Sequence, residues 1–428
     1  MHSTPRLARA QLSLLPLARS MLYAGMFMVS LLVFRVAGAI TVGDALLVAS
    51  FLLTAVDTAM SGRRVRVSWM GLLACLLIFA GGLLTSLMAE SPGSSAIVLG
   101  RVFLLAFLVP WTMSVLLSTP KRFKTGVIAL AAGAALCGAG TVLQLVIGDV
   151  IPGAVTTSAG RYPGFAAHVS DTGGIVCLAV VYGAGLLFAT GKSTKLVGLG
   201  LLSAGLAGVI LSGSVSGMIA AAAGVLALLV WHRLSIPKLI GLVVVMSVGT
   251  WVAVASMSAN TVALTPVERF LQSTGLTGDS SLNTTASRWD SIRAAWEIFV
   301  ASPLLGEGLE PTASYAIGTL PAHNLIVAAL FQGGLIFTLG LTLVCVLALC
   351  RGLRDQWVRG VSTAAAAGAV AAFVFAMTAP SFYNRYFWVP LILAVVSRQI
   401  DRVKRPASAR QIRPLVATPT IFSVTAER

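Results

Sequence analysis

His323 stands where a long polar segment meets a strongly apolar one, and residues 321–325 read Pro-Ala-His-Asn-Leu. The chain has only four histidines, and imidazole is the side chain whose charge changes most readily near neutral pH. A histidine in this place could act as a general base that removes a proton from an attacking hydroxyl group. The alternative is a structural histidine that is hydrogen-bonded to a backbone carbonyl at a membrane edge. His323 is therefore the first candidate for a catalytic residue.

The segment before His323 predicts an amphipathic helix that carries an arginine, Arg288. Ser287 is the expected N-cap and Pro303 ends the helix, after which 304–308 should form a flexible link toward His323. The helix could lie on the membrane surface with its tryptophans at the interface, or it could cover a substrate with Arg288 directed at phosphate. Its apolar stripe consists of Trp289, Ile292, Trp296, Phe299 and Val300.

The elements that must position these residues are membrane-spanning helices. The 428-residue chain is 57% hydrophobic and only 10% charged, whereas soluble domains carry about 25% charged residues. Its apolar runs are continuous, which excludes the alternating pattern of a membrane β-barrel. We predict an all-α polytopic membrane protein with twelve spans and one large extracytoplasmic loop. The spans are 21–40, 41–60, 67–89, 95–118, 124–148, 168–190, 195–212, 215–231, 237–257, 323–350, 359–379 and 383–397.

The distribution of charge gives these spans a direction. The net charge is +16, and most of the 30 lysines and arginines fall in alternate loops and in both terminal tails. Because basic loops stay on the cytoplasmic side, we predict a plasma-membrane protein with both termini inside. The high charge then reflects topology, not nucleic-acid binding. The predicted parts are a basic N-terminal tail (1–20), helices 1–9 (21–257), an extracytoplasmic loop (258–322), helices 10–12 (323–397) and a basic C-terminal tail (398–428).

The sequence lacks the residues and motifs that several classes of site require. All five cysteines lie within or beside predicted spans, so the outer loops have neither a disulfide framework nor a cysteine zinc site. The chain has no P-loop and no HExxH zinc motif. We therefore expect no metal and no cofactor, and the sequence argues against ATP-driven transport by this chain alone.

Four motifs follow one another from Arg288 into the tenth predicted span. They are the Arg-Trp helix, Ser-Pro-Leu-Leu-Gly-Glu-Gly at 302–308, Ala-His-Asn-Leu at 322–325 and Gln-Gly-Gly-Leu at 332–335. Their order and spacing resemble the O-antigen ligase and O-antigen polymerase family, closely over 288–340 and in topology elsewhere. The resemblance implies a metal-independent GT-C-type glycosyltransferase on the outer face. Such an enzyme takes a glycan from a polyprenyl diphosphate carrier to an acceptor hydroxyl.

The resemblance also implies roles for individual residues. His323 matches the family's catalytic histidine, and Arg288 matches its loop arginine at the lipid diphosphate. A second family arginine, in a Ser-Arg motif, is replaced here by Val215. Arg161 is the first candidate to take over that diphosphate contact, and Arg385 is the second.

Other polar residues near the predicted outer face are candidate substrate contacts. Intramembrane charge is costly and commonly functional, which is the reason to include Arg35 and Arg101. Arg35 could instead pair with Asp44, and the two serines could simply stabilise a tight helical turn. The full set is Asn324, Arg35, Arg101, Ser214, Ser216, His168 and Asp171.

Three functions remain open at this point. A ligase would transfer the glycan to a glycan, lipid or protein acceptor, and a polymerase would join lipid-linked repeat units by the same chemistry. A lipid or sugar transporter or flippase belongs to another class. It would be expected to show internal repeats and broken helices near the bilayer centre, and no clear repeat is evident in this sequence.

Overall fold

A computed structural model describes residues 13–37, 40–62, 68–157, 160–166, 168–232, 284–310, 315–317, 320–354, 360–379 and 382–404. Within these ranges, seven helices are long and apolar enough to cross a membrane, and three shorter apolar helices accompany them. The predicted class, a polytopic all-α membrane protein, is confirmed. The number of twelve spans stays a prediction, because the ninth span, 237–257, lies outside the described residues.

The helices in chain order are α1 Leu15–Met28, α2 Val42–Ser61, α3 Trp69–Met88, α4 Pro92–Phe103, α5 Val109–Leu116, α6 Pro120–Ile147, α7 Val169–Leu187, α8 Lys192–Ser212, α9 Val215–Trp231, α10 Thr284–Ala301, α11 Leu325–Arg354, α12 Val361–Ala376 and α13 Arg385–Lys404. A π-helical segment, Leu104–Leu108, joins α4 to α5, and a 3-10 turn, Gly164–Ala166, precedes α7. Two short antiparallel hairpins complete the described structure. They pair β1 (Arg35–Ala37) with β2 (Ile40–Thr41), and β3 (Tyr315–Ile317) with β4 (Leu320–Pro321).

The first predicted span, 21–40, is wrong in its second half. Helix α1 ends at Met28, and the chain then enters the β1–β2 hairpin. Val29 and Leu31 are buried in the core although they belong to the connecting loop, so hydropathy alone extended the span. Arg35 is consequently an exposed residue of the hairpin and does not belong to a membrane-spanning helix.

Small residues allow α7, α8 and α9 to pack closely. A Cβ added to Gly217 would lie 2.8 Å from the Cα of Gly173, and one added to Gly173 would lie 2.1 Å from Ser214 Oγ. Helices in membranes use such residues to bring their backbones together. The turn between α8 and α9 is thereby held against the start of α7.

The segments predicted to be external meet at one end of the bundle, which we call the His323 end. The first hairpin is tied to the α6–α7 loop, where the Val33 amide donates to the Phe165 carbonyl (3.1 Å). The same loop is tied to the end of α8, where the Tyr162 amide donates to the Leu211 carbonyl (3.2 Å). These contacts bring residues that are distant in sequence into one region.

Residues 302–310 form an ordered strap, so the predicted flexible link is wrong. The strap lies against a break in α11. In a regular helix the Leu335 amide would donate to the Phe331 carbonyl, but here these two backbone groups bond elsewhere. Instead the Glu307 amide donates to the Phe331 carbonyl (2.9 Å), and the Leu335 amide donates to the Pro303 carbonyl (2.9 Å). The backbone groups released by the break are thus satisfied by the strap, which fixes the connection between α10 and α11.

Gly334 provides the backbone conformation that this break requires. Its φ is 69°, and an added Cβ would lie 2.2 Å from the Leu304 carbonyl oxygen. We expect Gly334→Ala to lower the free energy of unfolding by about 1–3 kcal/mol, measured by thermal unfolding in detergent. Gly200→Ala is the matched control, because nothing lies within 4 Å of its added Cβ. Equal unfolding midpoints for the two variants would contradict this role of Gly334.

Candidate active site

His323 lies between β4 and α11 with its side chain half-buried. Its Nδ1–H donates a hydrogen bond to the Pro321 carbonyl oxygen (2.8 Å). Because a carbonyl only accepts, Nδ1 carries the proton and Nε2 keeps its lone pair in the neutral ring. The backbone bond of the structural alternative is therefore present, yet it leaves the second nitrogen able to accept a proton.

The surroundings of His323 favour its neutral form. Burial lowers the pKa of His323, and the positive charge of Arg288 lowers it further, whereas the hydrogen bond to Pro321 raises it. A lowered pKa keeps the imidazole neutral to a lower pH than in water. Neutral imidazole is the form that can act as a general base.

Arg288 reaches the site from α10. The helix begins at Thr284, so Ser287 lies in its first turn and the predicted N-cap is wrong. Burial lowers the pKa of the half-buried Arg288 guanidinium, which remains charged because arginine titrates far above neutral pH. Since its charge acts on His323, the structure brings together the two residues that the sequence assigned to chemistry.

Helix α10 turns one side toward the protein and exposes large apolar residues on another. The helix meets the rest of the protein through Ser291 and Ala295, both fully buried, because small side chains permit close contact. Trp289, Trp296 and Val300 are 65%, 51% and 61% exposed. The predicted amphipathic helix is present, but the protein-facing side lies beside its apolar stripe, and Arg288 belongs to that inner side.

Asn324 holds the start of α11 immediately after His323. Its Oδ1 accepts hydrogen bonds from the amides of Ile326 (3.0 Å) and Val327 (3.1 Å). Its Nδ2 donates to the Met377 carbonyl (3.3 Å) at the end of α12. Asn324 therefore positions His323 through the backbone, and its contact with substrate stays a prediction.

Arg385 lies in a buried ion pair with Asp44. Its Nε donates to Oδ1 (2.5 Å) and its Nη2 to Oδ2, and the side chains are 6% and 8% exposed. Asp44 thus pairs with Arg385, and not with Arg35 as the alternative interpretation of Arg35 would have it. Two nitrogens of the Arg385 fork are bonded to this carboxylate, so its predicted contact to the diphosphate gains no support. Arg101, half-buried on α4, lies close enough to interact electrostatically with both members of the pair.

Arg161 lies at the turn where the sequence has Val215 in place of the second family arginine. Its Nε donates to the carbonyl oxygen of Ser212 (2.7 Å), the last residue of α8. The side chain is half-buried. A guanidinium group is thus present beside the α8–α9 turn although the expected arginine is not.

Three other predicted contacts act as helix caps or lie in the packed turn. Ser214 is the N-cap of α9 and accepts a hydrogen bond from the Gly217 amide (3.2 Å), and Ser216 is buried in the first turn. His168 is the exposed N-cap of α7, where its Nδ1 accepts from the Ser170 amide (3.3 Å). The tight-turn alternative accounts for both serines.

Asp171 lies in the first turn of α7 and binds a residue that the sequence did not point to. The Tyr386 hydroxyl donates to its Oδ1 (2.7 Å), and Asn384 Nδ2 donates to the Tyr386 hydroxyl oxygen (2.7 Å). Residues 383–386 read Tyr-Asn-Arg-Tyr, and the sequence prediction includes only the arginine of this segment. The pair of tyrosines around it was the signal that could have identified this cluster.

Residues 199–342 match the family model described as O-antigen ligase. This part of the chain is similar to the O-antigen ligase domain. The match extends from α8 through Arg288, the strap and His323 into α11, and confirms the resemblance that the motifs at 288–340 carried. No curated protein matched the chain significantly.

The O-antigen ligase domain identifies the class of enzyme. It indicates a multi-pass membrane enzyme of the O-antigen ligase or polymerase type. Arg288 and His323 lie within the matched residues, whereas Arg161, Asp171 and Arg385 reach the same end of the bundle from outside them. Among the residues that the structure describes, no group of three or more His, Cys, Asp or Glu side chains could hold a metal ion.

Proposed function

We propose that this chain transfers a glycan from a polyprenyl diphosphate carrier to an acceptor hydroxyl on the outer face of the plasma membrane, with His323 as the general base. The observation that carries the proposal is the Nδ1–H bond from His323 to Pro321 (2.8 Å). It fixes the ring and directs proton transfer to Nε2. A ligase and a polymerase share this chemistry and differ only in the acceptor.

The proposed reaction is a single displacement. The acceptor hydroxyl gives its proton to Nε2 of neutral His323 as its oxygen attacks the anomeric carbon. The bond from that carbon to the lipid diphosphate breaks with inversion, and the bonding electron pair leaves with the diphosphate. Arg288 stabilises the charge that develops on the leaving group, because a guanidinium can bind two phosphate oxygens at once. The step requires no metal ion.

Arg161 is the proposed second contact to the diphosphate. It is half-buried beside the α8–α9 turn, where its Nε bond to Ser212 orients the guanidinium. Arg385 is less suitable, because Asp44 already binds its fork. The proposal thus assigns the cationic part of the site to Arg288 and Arg161.

Two substitutions of Arg288 separate its charge from its geometry. Arg288→Lys keeps the charge and loses the fork, so we expect transfer to fall about 10- to 100-fold, as for a lost charged hydrogen bond. Arg288→Gln loses both and should be slower still. Initial rates are measured in membrane vesicles with labelled polyprenyl diphosphate-linked glycan, in the presence of EDTA. Full activity of Arg288→Lys would contradict the bidentate contact.

The same variants make a prediction about pH. Transfer by the wild type should fall as pH drops through the lowered pKa of His323, because the protonated ring cannot act as a base. Arg288→Gln removes one cause of that lowering, so the acidic limb of kcat/KM should move to higher pH. Arg288→Lys retains the positive charge and should leave the limb in place. A limb that stays fixed in Arg288→Gln would contradict the coupling of the two residues.

A further inference from the structure

A second polar cluster lies at the His323 end, apart from Arg288 and His323. It combines a carboxylate from α7, an arginine from the first hairpin, and tyrosines from β3 and from the segment that begins α13. The cluster mixes opposite charges with aromatic rings that are partly accessible: Tyr315 is 46% exposed and Tyr383 is half-buried. Its members are Asp171, Arg35, Tyr315, Tyr383 and Tyr386.

We propose that this cluster is a binding subsite for a neutral saccharide, which serves as the acceptor in the reaction above. A carboxylate accepts hydrogen bonds from sugar hydroxyls, a guanidinium donates to the neighbouring ones, and tyrosine rings cover the apolar face of the sugar. The role of this saccharide as the acceptor rests on the proposed function. The binding of the saccharide follows from the cluster itself.

The carboxylate of the cluster is fixed in place. The Tyr386 hydroxyl donates to Asp171 Oδ1 (2.7 Å), and Tyr386 in turn receives a bond from Asn384 (2.7 Å). The next residue in this segment, Arg385, is held by Asp44 on α2. Two carboxylates from different helices therefore anchor the start of α13, and Asp171 Oδ2 is left for a further donor.

The first hairpin brings the opposite charge. Its backbone is bonded to the α6–α7 loop, and Phe34 stacks on Phe165 with ring centres 6.1 Å apart. Arg35, the next residue, is exposed and close enough to Asp171 to interact with it electrostatically. The exposed His168 also acts on this carboxylate. Arg35 is exposed whereas Asp171 is half-buried, and such an oppositely charged pair suits adjacent hydroxyl groups better than it suits an anion.

The cluster is connected to His323 through two tyrosines. Burial raises the pKa of Tyr383, and Asp171 and Tyr315 raise it further, so both are close enough to act on Tyr383 electrostatically. Tyr315 pairs with Pro321 across the β3–β4 hairpin, and Pro321 carries the carbonyl that binds His323. A saccharide held by Asp171 would thus lie near His323 through the β3–β4 hairpin, which also packs against α10.

The charges of the cluster allow a binding test that needs no catalysis. Purified protein in nanodiscs is mixed with methyl β-glucoside, glucosamine or glucuronate, and binding is followed by saturation-transfer difference NMR. The wild type should favour the neutral sugar. Asp171→Asn leaves Arg35 unopposed and should raise the glucuronate signal relative to methyl glucoside about two- to fivefold, as expected for an exposed charge. Arg35→Gln should raise the glucosamine signal by a similar factor.

The variants are chosen so that a structural role alone cannot produce this result. Asparagine at 171 keeps an oxygen that can accept the Tyr386 hydroxyl, so the anchor of α13 is retained. Asp149→Asn is the matched control, because Asp149 is an exposed carboxylate that accepts the Thr156 amide in the α6–α7 loop (2.9 Å). It should leave all three signals unchanged.

The outcomes separate this proposal from the proposed function. Saccharide ratios that do not respond to Asp171→Asn or Arg35→Gln, or the absence of any saccharide signal in the wild type, would overturn the subsite even if glycan transfer occurs. Ratios that change as expected would support the subsite even if the wild type transfers no glycan, in which case the proposed function alone fails.

Discussion

Replacing His323 with alanine is expected to slow glycan transfer by about 10²- to 10⁴-fold, the usual contribution of a positioned general base. The substitution removes Nε2, the atom to which the acceptor proton would move, while Arg288 and the helix cap Asn324 remain. The bond from the ring to Pro321 is local, spanning two residues. The fold should therefore persist. Initial rates in membrane vesicles with labelled lipid-linked glycan provide the measurement.

His232→Ala is the matched control for this experiment. His232 caps the end of α9, where its ring stacks on Phe188 with centres 4.6 Å apart. Its helix end is the one remote from Ser214, so it lies at the opposite end of the bundle from the proposed chemistry. Transfer should be nearly unchanged. A similar loss in both histidine variants would argue against a specific role of His323.

Replacing Asp44 with alanine is expected to cost about 3–5 kcal/mol of stability, the usual effect of removing one member of a buried ion pair. The substitution leaves Arg385 buried without its carboxylate and close to a second guanidinium, that of Arg101. The start of α13 would also lose its anchor on α2. Thermal unfolding in detergent measures the effect, and Asp149→Ala, at an exposed carboxylate, should produce no measurable change.

A double substitution tests whether the loss comes from the uncompensated charge. Replacing the pair with Asp44→Leu and Arg385→Met removes both charges, so stability should recover substantially relative to Asp44→Ala. If the double variant were as unstable as Asp44→Ala, packing at this position and not charge compensation would explain the loss.

The two candidate catalytic residues, Arg288 and His323, could be singled out in the sequence because their signals are local. His323 lies beside the boundary of a predicted span, and Arg288 lies on a helix that the spacing of its apolar residues predicts. The Asp44–Arg385 pair was not predictable, since 341 positions separate its members and hydropathy assigns each of them only to the end of a span. Hydropathy places Arg35 in a helix because the loop between α1 and Arg35 is as apolar as a membrane span.

The strap shows a different limit of sequence reasoning. Its two glycines suggested flexibility, yet Gly306 has a φ of 69° and an added Cβ would lie 2.5 Å from the Gln332 carbonyl oxygen. Glycine is needed there for a close backbone contact with the broken helix. Composition alone does not distinguish a glycine that loosens the chain from one that lets two backbones approach.

The central claim is tested most directly by labelling the lipid-linked glycan pool in cells that produce only His323→Ala protein. We expect polyprenyl-linked glycan to accumulate on the outer face of the plasma membrane, because carriers still arrive there but the transfer step is lost. Accumulation on the inner face would favour a flippase instead. Unchanged glycan transfer by correctly inserted His323→Ala protein would contradict the role of His323 as general base.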